Sequence, residues 1–343
     1  MNRSRFFAKA GGGAGSRVSG VRWYVTALAA ALLGAPLCQA QEFPSKPIRI
    51  IVPYTAGGSS DYVARTIATR LQENLKSPVM VENKPGGNAQ IGCDYVAKSA
   101  PDGYTLLLAG MTTHAAAPAL YKKLPYDTIK DFAPITNLIE SPLVVVVHPD
   151  VKASTLQEFV ALAKASPGKL NYGSAGVGNT LHLAGEMFRM TTATELVHVP
   201  YKGASQALGD LLGGRIQVMF DLPQTPLANI QAGKLRALAV TGSERLALMP
   251  SVPTTAEAGV PAFAFGTWIG LVAPSGTPPA VVSRLHAEIV KAANQAEVKE
   301  AFAKMAMLVA PSASPDAFAK RIQLETERLG KVIRAAGIHP EGG

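Results

Sequence analysis

The feature that most constrains the fold is a regular alternation of short apolar runs with helical patterns after residue 44. The run at residues 48–53 is followed by a glycine-rich turn and a helical pattern at 62–74, and this order recurs along the chain. The solid apolar run at 143–148 is typical of a strand that helices cover on both faces. The alternation predicts an α/β fold whose mainly parallel sheets are flanked by helices.

The first forty residues differ in composition from the rest of the chain. They contain five basic residues and no acid, and an apolar run at 25–37 precedes Cys38, Gln39 and Ala40. A basic start, a short apolar stretch and a small-x-small end indicate a secretory signal peptide. The run is shorter than the roughly 20 apolar residues of a spanning helix. We therefore expect residues 1–40 to be removed after Ala40 and the mature protein to be periplasmic.

Composition narrows the class of partner. Removal of the leader takes away five cations and no acid, so the formal net charge falls from +9 to +4. Basic residues do not cluster with aromatic ones in the remainder, and we expect no nucleic-acid partner. The mature part keeps one cysteine, Cys93, in an apolar helical pattern where a buried thiol is expected. A mature chain of about 300 residues usually divides into two domains. We also expect the mature protein to be a monomer.

Two candidate strands flank the middle block of the chain. They lie at 132–138 and 268–273, and proline or glycine sets each of them apart. This pattern suits one lobe built from both ends of the chain and a second lobe inserted between them. We predict a first lobe at 41–141 plus 268–343, a second lobe at 142–267, and hinge strands near 132–143 and 262–273.

Four loops of small and polar residues follow predicted strands, at 52–61, 111–114, 172–182 and 198–203. Because open α/β sheets bind ligands beyond the carboxyl ends of their parallel strands, these loops are expected to share one site. Glycine lets the backbone approach a ligand, and free N–H groups at a helix N-terminus bind anions. The loop at 52–61 lacks the lysine of a P-loop, and the loop at 172–182 lacks the frame of a nucleophile elbow.

Catalysis and metal binding find little support in the sequence. Ser174, His182 and Asp221 can be drawn as a hydrolase triad, but Ser174 and His182 lie close together on one turn and helix, which does not suit catalysis. His182 and Glu186 form a His–acid pair at helical spacing, whereas zinc needs three or four ligands. We expect no catalytic residue, no metal and no cofactor.

Together the motifs resemble those of the Bug family, the periplasmic receptors of tripartite tricarboxylate transporters. The similar segments follow one another in the family's order, at 43–49, 52–61, 82–88, 101–105, 174–186, 199–203, 210–214 and 219–221. The resemblance implies a two-lobed, flytrap-like periplasmic-binding-protein fold that holds a small carboxylate between its lobes. It also implies delivery to the integral membrane subunits of a tripartite tricarboxylate-type transporter. A ligand sensor acting on a signalling partner, or a hydrolase, remains the alternative.

The resemblance further implies which residues contact the ligand. Matched by position, they are Tyr54, Gly57, Gly58, Ser59, Asp61, Thr112, Thr113, Ser174, Asn179, Thr180, Tyr201 and Asp221. Thr55 and Ala56 stand where many members have bulkier residues or proline, so a dicarboxylate, tricarboxylate, amino acid or aromatic acid all remain open. Lys202 is the only cation in these loops. The carboxylate is therefore expected to meet backbone N–H groups, hydroxyls and helix N-termini.

Overall fold

The computed structural model describes residues 43–339, so the predicted signal peptide at 1–40 lies outside the described residues. The strands are β1 Ile48–Val52, β2 Val79–Asn83, β3 Thr105–Gly110, β4 Phe132–Pro142, β5 Val144–Val147, β6 Leu170–Ser174, β7 Leu196–Pro200, β8 Val218–Asp221, β9 Arg236–Val240, β10 Gly266–Pro274 and β11 Leu308–Val309.

The helices alternate with these strands. They are α1 Ser59–Leu75, α2 Gln90–Ala97, α3 Ala117–Leu120, α4 Leu156–Ala165, α5 Thr180–Thr192, α6 Ala204–Leu212, α7 Leu227–Gln231, α8 Pro279–Ala293, α9 Ala296–Ala303 and α10 Pro315–Ala335, with a π-helix at Met111–Ala116 between β3 and α3. No helix within residues 43–339 is both long enough and apolar enough to cross a membrane.

The strands form two sheets, each belonging to one lobe. The first has the order β11-β4-β10-β3-β1-β2 and the second the order β7-β6-β8-β5-β9. In the first sheet β1 is parallel to β2 and β3, whereas β10 is antiparallel to β3 and β4. In the second, β6 is parallel to β7 and β8, whereas β5 is antiparallel to β8 and β9.

The expectation of mainly parallel sheets is therefore wrong, because both sheets are mixed. The βαβ units supply the parallel pairs, as their helical crossovers require. Most antiparallel pairs involve β5 or β10, the strands that follow the passages of the chain between the two sheets, and one further antiparallel pair joins β11 to β4. β5 follows β4 after a single residue and enters the second sheet against the direction of β8.

The two lobes are joined by β4 and β10, which pair antiparallel from Gly266 opposite Pro142 to Pro274 opposite Phe132. The chain changes sheet between β4 and β5, and again between β9 and β10. The lobe bounds of 41–141 plus 268–343 and 142–267 stay a proposal, with β4 and β10 as the hinge strands.

Helices bury both sheets. The residues of β5 are completely buried, as a strand covered on both faces should be. The C-terminal helix α10 packs on β4 and on the π-helix of the first lobe, and it also contacts α5 of the second lobe. Its Phe318 meets the buried Trp268 of β10 edge-on, with ring centroids 5.4 Å apart. Helix α10 therefore contacts elements packed on both sheets.

Candidate ligand-binding cleft

A cavity of about 290 Å³ lies where loops of the two lobes face each other. Its lining comes from three separate parts of the chain: the first-lobe loops, the loop between β6 and α5, and the segment after α10. The lining residues are Tyr54, Asn88, Thr112, Leu120, Tyr121, Val177, Gly178, Asn179, Ile338 and His339. The predicted residues Tyr54, Thr112 and Asn179 thus share one cavity, although they are distant in sequence.

The loop after β1 is braced by the carboxylate of Asp61. Asp61 is almost fully buried, and its Oδ2 accepts hydrogen bonds from the Gly57 N–H at 3.0 Å and from Arg65 Nε at 2.9 Å. Its Oδ1 accepts from Asn83 Nδ2 at 3.0 Å. The hydrogen bond from Arg65, together with those from Gly57 and Asn83, lowers the pKa of Asp61 to about 2. Asp61 therefore holds the loop in shape, and its oxygens are already paired.

Although Asp61 fixes the loop by its hydrogen bonds, the residues at the turn of the loop remain exposed. Gly57 has a φ of +84°, and Gly58 is the N-cap residue of α1 with no side chain to cap it. Gly57, Gly58 and Ser59 are exposed. The first N–H groups of a helix have no partner within the helix, so this turn offers backbone donors to an anion.

The second first-lobe loop places its two threonines differently. Thr112 lines the cavity, and its Oγ1 lies 3.2 Å from the Tyr54 hydroxyl. Burial raises the pKa of Tyr54 above its usual value of 10.0, so the phenol stays a hydrogen-bond donor at neutral pH. Thr113 is buried instead, and its hydroxyl donates to Gly110 O at 3.1 Å. Thr113 fixes the π-helix and does not face the cavity.

Asn179 is the N-cap residue of α5 and a cavity residue at once. Its Oδ1 accepts from the His182 N–H at 3.0 Å, which is the usual capping contact. Its Nδ2 is buried and has no hydrogen-bond partner among residues 43–339. Thr180 begins the helix and is half-buried. The cap is therefore Asn179, while Thr180 occupies the first helical position.

Ser174 is turned into the second lobe. It is completely buried, and its Oγ lies 2.7 Å from His198 Nε2 and 3.0 Å from Gly176 O. The ring of His198 stacks on that of His182, with centroids 3.7 Å apart and planes 9° apart. Burial, followed by the neighbouring His182, lowers the pKa of His198 to about 4, and burial also lowers that of His182.

The last two predicted residues are also engaged elsewhere. The Tyr201 hydroxyl donates to Asp210 Oδ2 at 2.7 Å, and its ring packs in an apolar cluster with residues of α6. Asp221 is 1% exposed at the end of β8, where its Oδ1 accepts from the Leu222 N–H at 2.7 Å. Its Oδ2 has no partner in the described part of the chain, and burial raises the pKa of Asp221 to about 7.

The geometry does not assemble the triad that the sequence offered. Ser174 meets His198 rather than His182, and its hydroxyl is shielded from any substrate. Within residues 43–339, no group of three or more His, Cys, Asp or Glu side chains is placed to hold a metal ion.

A second cavity, of about 280 Å³, lies beside the hinge strands and α10. Its charged side chains are already paired: Arg321 with Glu140 at 2.5 Å, and Arg328 with Glu325 at 3.4 Å. The cleft cavity is lined by Asn179, whose Nδ2 has no partner among residues 43–339, whereas Gly57, Gly58 and Ser59 are not among its lining residues. Between the two, the cleft is the better ligand site.

Sequence reasoning did not find several cavity residues. Leu120 and Tyr121 follow the π-helix, and Ile338 and His339 follow α10. No motif marks either segment, since α10 returns to the cleft only through its packing on the π-helix and α5. Asn88 was signalled in part, because it belongs to the glycine-rich segment at 82–88.

Comparison with known proteins gives one consistent result. Residues 63–338 match the tripartite tricarboxylate transporter family receptor. The chain is 39% identical to BugT of Bordetella pertussis over 277 residues, which cover 80% of this chain and 85% of BugT. These values are high enough to show common descent over both lobes.

Solved structures agree with this result. An R. palustris protein with adipate is 31% identical, with a TM-score of 0.71 over 88% of this chain and 100% of the other. MatC of Rhodopseudomonas palustris with bound malate is 32% identical, with a TM-score of 0.66 over 85% and 100%. The predicted two-lobed periplasmic-binding-protein fold is confirmed, as is the expectation of a binding protein rather than an enzyme.

Proposed function

This chain belongs to the family of tripartite tricarboxylate transporter receptors, and we propose that it binds a small dicarboxylate between its two lobes. In this proposal the mature protein is periplasmic and passes its ligand to the integral membrane subunits of a tripartite tricarboxylate-type transporter. Relatives with bound malate and adipate support the choice of a dicarboxylate.

The observation that carries the proposal is the donor-rich, charge-poor lining of the cleft. The lining residues named above include no Lys, Arg, Asp or Glu. Tyr54, Thr112 and Tyr121 supply hydroxyls, and Asn179 supplies a buried N–H that lacks an acceptor. A buried donor without a partner is costly, and an anionic oxygen is the acceptor that satisfies it best. The open N-terminus of α1 adds backbone donors of the same kind.

The twelve residues expected from the sequence divide into two roles within this proposal. Tyr54, Thr112 and Asn179 contact the carboxylate by their side chains, and Gly57, Gly58, Ser59 and Thr180 contribute through the starts of α1 and α5. Asp61, Thr113 and Ser174 act beneath them by fixing the loops. Tyr201 and Asp221 belong to the same lobe edge but are tied to neighbours, so their contribution is indirect.

The proposal is tested by identifying what the protein carries. Freshly purified mature protein is denatured, and the released small molecules are analysed by mass spectrometry. Calorimetric titrations then use malate, adipate and their uncharged diamides. We expect binding of a diacid and none of the matching diamide. Each amide replaces a carboxylate oxygen, which accepts hydrogen bonds, with an NH2 group, which would face the hydrogen-bond donors of the cleft. Release of an uncharged compound, with no heat from any acid, would contradict the proposal.

Location is tested separately by N-terminal sequencing of the protein expressed with its leader. We expect the mature chain to start at Gln41 in the periplasmic fraction, since cleavage is predicted after Ala40. Intact Met1 on the purified protein would contradict the export proposal and leave ligand binding untouched.

A further inference from the structure

We propose that His182 and His198 are positioning residues for the second-lobe ligand loop, residues 174–178, and that they hold it only while His182 is neutral. This inference rests on the proposed function, because that loop is argued to form one side of the carboxylate site. Its own test does not require a ligand.

The two rings form hydrogen bonds with opposite ends of the loop. At its start, the Ser174 hydroxyl lies 2.7 Å from His198 Nε2. At its end, the Gly178 N–H donates to His182 Nδ1 at 2.9 Å. The two rings stack with centroids 3.7 Å apart, so a movement of one ring displaces the other and affects the hydrogen bonds at both ends of the loop. The loop thus depends on a single two-ring support.

The surroundings of the pair contain few free charges. Tyr172 of β6 stacks on His198 at 4.9 Å and donates through its hydroxyl to Glu186 Oε1 at 2.5 Å. Both oxygens of Glu186 also accept from Arg189 at 2.7 Å. His182 Nε2 lies 3.9 Å from Glu186 Oε1. Among the described residues, Glu186 is the carboxylate that faces the rings, and its ion pair with Arg189 makes it a poor stabiliser of an imidazolium.

The hydrogen bond from Gly178 depends on the protonation state of His182. The Gly178 N–H can donate only to an unprotonated Nδ1, so a proton at that atom of His182 removes the hydrogen bond. A proton on either ring also makes a second one harder to add, because two cations in face-to-face contact repel. A protonated pair must separate or take in water. Either change releases Ser174, Gly178, or both, and the loop loses its shape.

The first experiment follows the unliganded mature protein by NMR from pH 7.5 to pH 4. It records the imidazole resonances of His182 and His198 and the backbone amide of Gly178. We expect the Gly178 amide to shift with the same midpoint as His182. The matched variants are His182→Gln and His198→Gln, whose amides can still accept or donate a hydrogen bond but do not titrate. His148→Gln is the control, because His148 lies in the same lobe and contacts Asp150 rather than the loop.

The variants should distinguish a role of the two histidines in positioning the loop from a general contribution to the stability of the lobe. In His182→Gln the Gly178 amide should no longer titrate, and in His198→Gln the midpoint of His182 should rise because one neighbouring charge is gone. His148→Gln should titrate as the wild type does. A Gly178 amide that ignores the titration of both rings, or a His148→Gln that shows the same loss, would overturn the inference.

The second experiment measures affinity for malate and adipate between pH 4 and pH 8, the range that includes the histidine titrations followed by NMR. Wild-type affinity should fall by up to about tenfold per pH unit below the midpoint, as expected when binding opposes one proton. In the double variant His182→Gln, His198→Gln only the acid's own protonation remains, so its pH profile should be flatter and serves as the correction for that effect. If neither acid binds but Gly178 follows His182, the proposed function fails and the positioning role stands. If the acids bind and Gly178 is indifferent, the reverse holds.

Discussion

Asn179 combines two tasks that usually belong to different residues. One end of its amide caps α5 through the His182 N–H, and the other, Nδ2, is buried without a hydrogen-bond partner among residues 43–339, in a residue that lines the cleft. Capping fixes the rotamer, so the donor is aimed before any ligand arrives. Such preorganisation lowers the entropy cost of binding. The same side chain therefore contributes to stability through one atom and to recognition through the other.

The substitution Asn179→Asp separates these tasks. Aspartate still accepts the capping hydrogen bond, but it presents an oxygen where the cleft had an N–H. Losing a hydrogen bond to a charged group costs about 1.5–3 kcal/mol, so affinity for malate or adipate should fall about tenfold to a hundredfold or more. Unliganded melting should change little. Calorimetry beside a thermal melt checks both, and unchanged affinity would remove Asn179 from the site.

Thr180→Val provides the companion measurement. Because Asn179 is the cap, loss of the Thr180 hydroxyl should leave the unliganded melting temperature unchanged. A lowered affinity would then assign that hydroxyl to the ligand. A lowered melting temperature with wild-type affinity would instead make Thr180 a purely structural residue.

Asp221 should make stability depend on pH. Its pKa is about 7 in the fold and 3.8 as a model value, so between these values the folded state binds more protons than the unfolded state. Stability from this group is present below pH 4 and is lost as the pH rises towards 7, by on the order of 4 kcal/mol in total. Asp221→Asn should therefore raise the melting temperature clearly more at pH 8, where nearly all of this loss has occurred, than at pH 5, where less than half of it has. An equal offset at both values would refute this account.

At the scale of single elements, helix α5 is shaped by a glycine in its middle. A Cβ on Gly185 would overlap the ring of Tyr172, which is buried and bonded to Glu186. Only glycine lets α5 lie this close to β6, and that closeness positions His182 under the loop. Gly209 in α6 differs, since nothing lies within 4 Å of its would-be Cβ.

These two glycines should respond to alanine with opposite signs. Gly185→Ala overpacks the lobe and should cost about 1–3 kcal/mol of unfolding free energy. Gly209→Ala replaces a flexible residue at an exposed helix position with a better helix former, and it should raise the free energy of unfolding by about 0.5–1 kcal/mol. Urea unfolding of both variants gives the comparison. Two changes of the same sign would mean that the contact with Tyr172 does not limit the packing of α5.

The elements near the cleft show how far sequence reasoning reaches. Strand β1 and the turn after it were predictable, because an apolar run leads into glycines and an N-terminal helix signal. The Ser314 cap of α10 was predictable from Ser-Pro spacing, and its Oγ accepts from the Ala317 N–H. The inward turn of Ser174 was not predictable, since it depends on His198 from the neighbouring strand. Local signals determine where a loop lies, while tertiary partners determine which way its side chains point.

At the scale of the whole molecule, the hinge predicts a change of shape. Two lobes joined by β4 and β10, with the candidate site between them, should shift towards a closed state when a ligand contacts both. Small-angle scattering with saturating malate or adipate should give a smaller radius of gyration than without. The comparison is valid once calorimetry has shown binding of the same acid. An unchanged radius under those conditions would contradict closure.

The large-scale fold was predictable in outline and not in its mixed sheets. Alternating strand and helix patterns indicated α/β layers, and the paired proline- and glycine-flanked strands correspond to β4 and β10, whose role as a hinge stays a prediction. The direction of β5 and β10 was not encoded locally, because each strand pairs with partners far along the chain. Long-range packing of α10 on the π-helix and α5 likewise brings Ile338 and His339 to the cleft, which no local pattern could indicate.

The position of β10 between β3 and β4 has a consequence for how the chain folds. The second-lobe strands lie in one continuous stretch, so that lobe can form as soon as the stretch is complete. The first-lobe sheet must wait for β10, whose residue Ile269 pairs with Gly110 across the entire inserted lobe. Closing so long a loop costs entropy and slows folding. Nesting one lobe within the other therefore delays completion of the first until β10 is available, late in synthesis.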